Sequence, residues 1–513
     1  NAPTGGTDMF AGCSTSLVLY CKAGSTGWDK TPWPSLNVVE VAAPVIVGPD
    51  DQVVVLGETA TFSVTVTSGE TPTYQWYKGT DAISGATGSS YTISSVEYSD
   101  ADDYSVEVSN YVGTATSKTA ALVVQTAVNG TFEDGDSTYK VLSNSETPTV
   151  SITATTATGA YTVPTTVTNP GGQTYTVTEI ADEAFKGNTG LTSVVIPDGV
   201  TTIGESAFEG CTNMTSVTIP DTVDTIGASA FKGCSKLDGV TIPDGVTEIA
   251  ASTFEGCTKL ATVTLPATGL TTIGDNAFAG CTTLTTAPIP ATADTIGAGA
   301  FNGCTGLTSV TVPNEVDTIG AGAFENCTGM TNIILSTNLT AIADRTFAGC
   351  NKLPAVTIPK NVETIGESAF EGCTSLESMT IPNEVETIGK KAFSGCTKLE
   401  EVSFGTGVKT IGEEAFAGCS GLTVLTIPAN VTEIEDGAFK NATNLTTVYF
   451  EGNAPTGGTD MFAGCSTSLV LYCKAGSTGW DKTPWADLNV VEVAAPVIDK
   501  QPDDQTVVLG ETA

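Results

Sequence analysis

Histidine does not occur in this chain of 513 residues. Its absence removes the commonest general base, every histidine-containing catalytic triad and the commonest metal ligand. Basic residues are scarce too: 20 Lys and Arg stand against 57 Asp and Glu, a formal net charge of −37. Such a surface repels nucleic acid and anionic lipid, which both need a basic footprint. Solubility and resistance to clumping explain the charge; recruitment of divalent cations between acidic faces is the alternative. No apolar run approaches the roughly 18 residues of a membrane span, and no signal peptide is visible. With neither His nor a phosphate-binding loop, nor any recognisable pairing of carboxylates, the expectation is a protein that is not an enzyme and holds no cofactor.

What the chain has is repetition. The segment Asn1–Trp33 returns unchanged as Asn453–Trp485, 452 residues later. The match runs on through LNVVEVAAPVI to Ile46 and Ile498, and resumes as PDDQ-x-VVLGETA at Pro49–Ala60 and Pro502–Ala513. A near-identical copy at that distance marks a tandem array. The expectation is one full period of a longer polymer plus an overhang, continuing in both directions.

A shorter period lies between the copies. Phenylalanine recurs at Phe185, Phe208, Phe231, Phe254, Phe278, Phe301, Phe324, Phe347, Phe370, Phe393, Phe416 and Phe439, in steps of 23 with a single 24. Each rung carries L-x-x-V-x-I-P and then V-x-x-I-G-x-x-A-F-x-x-C, as in Leu307–Gly329. The Val-x-Ile alternation reads as a short strand with those side chains inward, ended by a proline that cannot donate to a neighbour. No rung buries its own apolar face, so stacking must supply the core. The third column is Cys211, Cys234, Cys257, Cys281, Cys304, Cys327, Cys350, Cys373, Cys396 and Cys419. Buried thiols acting as small hydrophobes are the reading here, over a metal ribbon or disulfide zipper, because Asn188 and Ala442 replace the column at its ends.

These columns resemble the BspA-type leucine-rich repeat, a family of surface proteins of bacteria and some protists, over Glu179–Gly452. The resemblance implies a mainly β fold, a leucine-rich-repeat solenoid, at residues 179–452 as twelve rungs. Residues 127–178, with strands TYKV, YTVPTTV and TYTVTEI, look like the β-rich cap that precedes such repeats. Phe462-Ala-Gly-Cys465 continues the rung pattern, so residues 453–495 read as an exit cap closed by the aromatic pair Trp480 and Trp485. Residues 1–43 are the same cap without its solenoid. Cys465 and Cys473, like Cys13 and Cys21, are the disulfide candidates, and the sequence leaves bridge and free thiol both open.

Residues 44–126 carry GETATFSV, YQWYK and DADDYSV. They resemble an immunoglobulin-like β-sandwich with Trp76 on its third strand and Tyr104 as a tyrosine corner opened by Asp100. Val64 and Val106 stand where inter-sheet cysteines would be, so the module holds by packing alone. Residues 496–513 read as the first strands of the next such domain. Asp134-Gly-Asp136 and Asp100-Ala-Asp102-Asp103 suit turns and the tyrosine corner, with Ca²⁺ as a weaker alternative. Asn-x-Ser/Thr sequences at Asn129, Asn213, Asn326, Asn338, Asn430, Asn441 and Asn444 depend on the host for glycosylation.

The outward strand positions, such as Ser216 and Thr218, Thr262 and Thr264, or Ser309 and Thr311, form a Ser/Thr face with few Tyr, Trp or Arg anchors. The functional expectation is an extracellular or cell-surface fibre, sheath or stalk, self-associating through identical units. The alternative, implied by the family resemblance, is an adhesin that attaches to host matrix or neighbouring-cell proteins.

Overall fold

Thr, Val and Ile in short alternating runs, broken by Gly and Pro, favour strands over helices. The computed structural model describes residues 1–4, 9–30, 33, 36–287 and 289–494, and among these no α-helix occurs. The strands expected at 496–513 lie outside the described residues. Two units form: residues 1–152 with 164–178, and residues 153–163 with the described residues from Glu179 onward.

In the first unit, Val18–Lys22 pairs parallel with Asn37–Val41. The sandwich follows. One sheet sets Asp102–Asn110 against Thr73–Lys78, Gly113–Thr116 and Ala120–Gln125, with Gln52–Val55 parallel to the last. Ala60–Ser63 pairs with Ser90–Ile93, and Val45–Val47 with Thr65–Thr67. Trp76, Tyr104, Phe62 and Val106 are buried between the sheets. The Phe62 and Tyr104 rings stack at 4.6 Å, Trp76 Nε1–H donates to Gly88 O at 2.9 Å, and Tyr104 OH donates to Asp100 O at 2.8 Å. That last bond is the expected tyrosine corner. The seam to the residues that follow is polar and buried: Asn169 Nδ2–H donates to Val124 O and to Thr126 Oγ1, both at 3.0 Å.

In the second unit, each 23-residue coil contributes to two parallel ladders. One is the expected strand, paired as Ser193↔Ser216, Gly239↔Thr262 and Ser309↔Asn332. The other is a two-residue Thr-Ile strand, paired as Thr202↔Thr225 and Thr364↔Thr387, where the sequence suggested only a closing turn. Two residues are too few for an alternation to register; their pairing exists only because identical coils stack in step. Tyr161, on the strand Gly159–Thr162 that pairs with Leu191–Val195, sets its ring edge-on to Phe185 at 5.8 Å. From Phe185 to Phe462 the rings then stack continuously, with centroids 4.7–5.9 Å apart.

Backbone strain follows the same period. Ser206, Ser229, Ser252, Lys391 and Glu414 all take φ between 52° and 58°. A left-handed residue of this kind is costly unless its surroundings hold it. Here each backbone N–H donates to a carbonyl of the next coil, as Ser229 N does to Ala251 O at 2.9 Å. The same position is Gly299, Gly322 and Gly437 elsewhere.

Candidate interaction surface

The buried columns make the frame that positions the outward ones. Phe208, Phe231 and Phe254 lie within the ring stack, wholly buried. The Cys211, Cys234 and Cys257 thiols donate to Phe185 O, Phe208 O and Phe231 O of the preceding coil at 3.1–3.2 Å. Burial pushes these thiols up, Cys211 to about 11 and Cys257 to about 12, so they stay protonated and unreactive. Each fills a small space and adds a second donor to a carbonyl that already accepts a backbone N–H, as Phe208 O does from Cys211 N at 3.1 Å.

The exit cap repeats this arrangement with one substitution of partners. Trp485 is buried, its Nε1–H donating to Pro455 O at 2.8 Å. Trp480 Nε1–H donates to Ser477 Oγ at 3.0 Å, and both indoles meet Phe450 edge-on at 4.8 and 5.4 Å. Cys13, Cys21, Cys465 and Cys473 are all free thiols, so neither candidate bridge is formed. The Cys465 thiol donates to Phe439 O at 3.2 Å, as one more member of the cysteine ladder. Burial raises its pKa to about 11.

The aspartates fall into local roles. Asp134 and Asp136 flank Gly135 in the turn between Thr131–Asp134 and Ser137–Ser143. Asp100 accepts from Glu97 N at 2.9 Å, and Asp102 from Asp103 N at 2.8 Å. Among the described residues no three metal-ligating side chains converge. Several Asn-x-Ser/Thr sites also gain a structural account. Asn213, Asn338, Asn430 and Asn444 each donate from Nδ2 to a carbonyl of the preceding coil at 2.6–2.7 Å. Asn326 and Asn441 replace glycine in a left-handed column, at φ 59° and 60°.

On the strand face, Thr218, Thr241, Thr264, Thr311, Thr357, Thr380, Ser403 and Thr426 form one exposed outward column. Ile334, paired with Thr311 and 55% exposed, interrupts it in the middle, and its two ends are apolar as well. Val195 opens it, Tyr449 and Tyr472 close it with rings stacked at 5.2 Å, and Val491 and Val493 continue the exposed apolar area on the next strand. This aromatic end was missed in the sequence, although the signal was present. Placing Cys473 at an inward position already sets Tyr472 outward. On the second ladder, an open depression of about 770 Å³ is lined by Glu363, Glu384, Glu386, Asn383 and Lys409; Lys409 pairs there with Glu386 at 2.6 Å.

Comparison with known proteins agrees with this architecture. The profile of the BspA type leucine rich repeat region matches residues 178–307, 271–379 and 363–475, and that of the immunoglobulin domain matches residues 43–110. Among solved structures, a leucine-rich repeat protein from Bacteroides ovatus is 27% identical, aligned over 71% of this chain and 99% of its own, with a TM-score of 0.51. A leucine rich cell surface protein from Faecalibacterium prausnitzii is 31% identical over 53% of this chain and 94% of its own, with a TM-score of 0.31. The pneumococcal vaccine antigen PcpA is 19% identical over 72% of this chain and 100% of its own, at a TM-score of 0.44. No curated protein matches the chain. The match spans most of the solenoid and its cap, and the chain belongs to the BspA-type leucine-rich-repeat family, with an immunoglobulin-like domain in the same polypeptide.

Proposed function

We propose that this chain is a structural unit of a cell-surface or extracellular array, acting by protein–protein contact and not by catalysis. The observation that carries the reading is the recurrence of Asn1–Trp33 at Asn453–Trp485 with the same strand register. Repeated identical surfaces make heterologous contacts that propagate without closing. The BspA-type family, the absence of histidine and the shallow, acidic surface of the solenoid support it. Family and architecture also favour an extracellular setting; among the described residues no helix is long and apolar enough to cross a membrane. The test is electron microscopy and sedimentation of the native material. Fibres with one repeat per subunit are expected, and monodisperse single units at every concentration overturn the proposal.

An adhesin is the second reading, favoured by the stacked Tyr449–Tyr472 pair, exposed at Tyr449 and half-buried at Tyr472, since tyrosine is enriched among residues that anchor interfaces. It expects the isolated chain to bind a matrix or cell-surface protein without assembling. Tyr449→Ala should then weaken that binding at least tenfold.

A further inference from the structure

The segment that occurs twice allows a comparison inside one molecule. In the first copy, the sandwich packs back onto the strand Asn37–Val41. Gly69 approaches so closely that a Cβ there would stand 2.9 Å from Val41 Cγ2 and 3.2 Å from Glu40 O. Asn110 Nδ2–H donates to Ala42 O at 2.8 Å and to Ser68 Oγ at 3.1 Å. The Tyr111 ring meets that of Tyr20, with centroids 6.4 Å apart. Val41 is in consequence 0% exposed.

In the second copy Val493 takes the place of Val41, and it is 44% exposed; Val491, in the place of Val39, is 40% exposed. Tyr449, Phe450, Tyr472, Lys474, Val493 and Ala494 line an open groove of about 500 Å³ beside it. The strand pairing beneath is the same, Leu19↔Val38 in one copy and Leu471↔Val490 in the other. The difference therefore lies in what covers the strand.

We propose that the groove beside Val493 is the seat of an immunoglobulin-like domain with the sequence of residues 44–126. The counterparts of Gly69, Asn110 and Tyr111 would close over Val493, Ala494 and Tyr472 as the originals close over Val41, Ala42 and Tyr20. Three observations select this occupant over any other. The first copy of the same surface is covered in this way; Gly69 leaves the space that a valine at this place requires; and residues 496–513 repeat the beginning of that sandwich in sequence. Cap and sandwich then form a fixed joint, and the apolar end of the strand face belongs to that joint and not to a foreign ligand. The inference concerns a single joint and does not rest on assembly into fibres.

The test extends the full chain after Ala513 with the sequence of residues 61–126, completing a second sandwich. Hydroxyl-radical labelling then compares the two strands, whose peptides differ in mass because Pro34-Ser35 stands against Ala486-Asp487. In the unextended chain the Val490–Ala494 peptide should label faster than its counterpart. In the extended chain its rate should fall about fivefold, to that of the Val41 peptide. A valine in place of the appended counterpart of Gly69 should restore fast labelling, while protection at the counterpart of Trp76 shows that the sandwich still folds. Unchanged labelling beside a folded second sandwich overturns the proposal. So does self-association of the unextended chain that protects the same peptide, which would make the groove a contact between copies.

Discussion

The two copies of the 33-residue segment have the same sequence and open the same strand pairing, yet different surroundings. Ala2 N donates to Thr26 O at 2.8 Å and Ala454 N to Thr478 O at 2.9 Å, so the local turn is common to both. Met461 is 3% exposed on the last coil of the solenoid, whereas Met9 is 46% exposed. The Trp480 indole N–H has its Ser477 partner, while that of Trp28, buried, finds none among the described residues. Local sequence sets the strands and turns; burial is supplied by the neighbour. A terminal repeat is half of an interface, and its apolar residues gain their stabilising effect only when a coil lies beneath them.

The largest test of that difference is at the ring stack. Phe462 is buried and stacks on Phe439 at 5.3 Å, while Phe10, half-buried, touches Trp33 edge-on at 6.3 Å. Phe462→Ala should destabilise the last coils by about 3–5 kcal/mol, and Phe10→Ala by about 1 kcal/mol. Hydrogen exchange resolved to each cap during urea unfolding separates the two; equal losses would show that the copies are packed alike. Next in size is the methionine pair. Met461→Ala should cost about 2–5 kcal/mol and Met9→Ala no more than about 0.5 kcal/mol, read in the same experiment.

What could be read from the sequence follows the same line. The columns Phe208, Phe231 and Phe254 and Cys211, Cys234 and Cys257 were legible because a 23-residue period leaves each in a fixed direction. Trp76 and Tyr104 were legible because the sandwich places them by strand and corner. The Thr-Ile ladder was not, since a two-residue strand has no periodicity of its own and is made by its neighbours. The partner of the Cys465 thiol was not either: spacing places two thiols in one cap, but the carbonyl of Phe439 that accepts from one of them belongs to another coil. The aromatic end of the strand face lay across a domain boundary, with Tyr449 in the last rung and Tyr472 in the cap, so that neither stood out as a pair.

The thiols sharpen the comparison through pH and reactivity. Burial raises Cys257, Cys304, Cys350 and Cys419 from 9.0 to about 12. The folded solenoid thus keeps protons that the unfolded chain begins to release near pH 9. Above that point the unfolded state binds fewer protons, so stability falls as pH rises. The urea midpoint of the solenoid should be flat below about pH 8 and decline from about pH 9 toward 12. A thiol reagent at about pH 8 should modify exposed Cys13 first, half-buried Cys465 slowly, and the ladder only on unfolding. Early modification of Cys257 at neutral pH would break the account of a sealed core.

The smallest effect belongs to the charges between coils, which the first copy lacks among its described residues and the solenoid repeats. Lys232 Nζ lies 2.9 Å from Glu255, Lys390 Nζ 2.8 Å from Glu413, and Lys186 Nζ 3.2 Å from Glu209. Each pair joins side chains of adjacent coils and remains about a third or more exposed on both sides, or nearly so. Water and salt screen such pairs, and ordering two long side chains opposes the attraction. Lys232→Ala should therefore change the stability of its coils by less than about 1 kcal/mol, and about 1 M salt should remove most of that difference. The comparison between the copies would then rest on apolar burial. A loss near that of Phe462→Ala would instead make charge, in a chain this acidic, the main bond between coils.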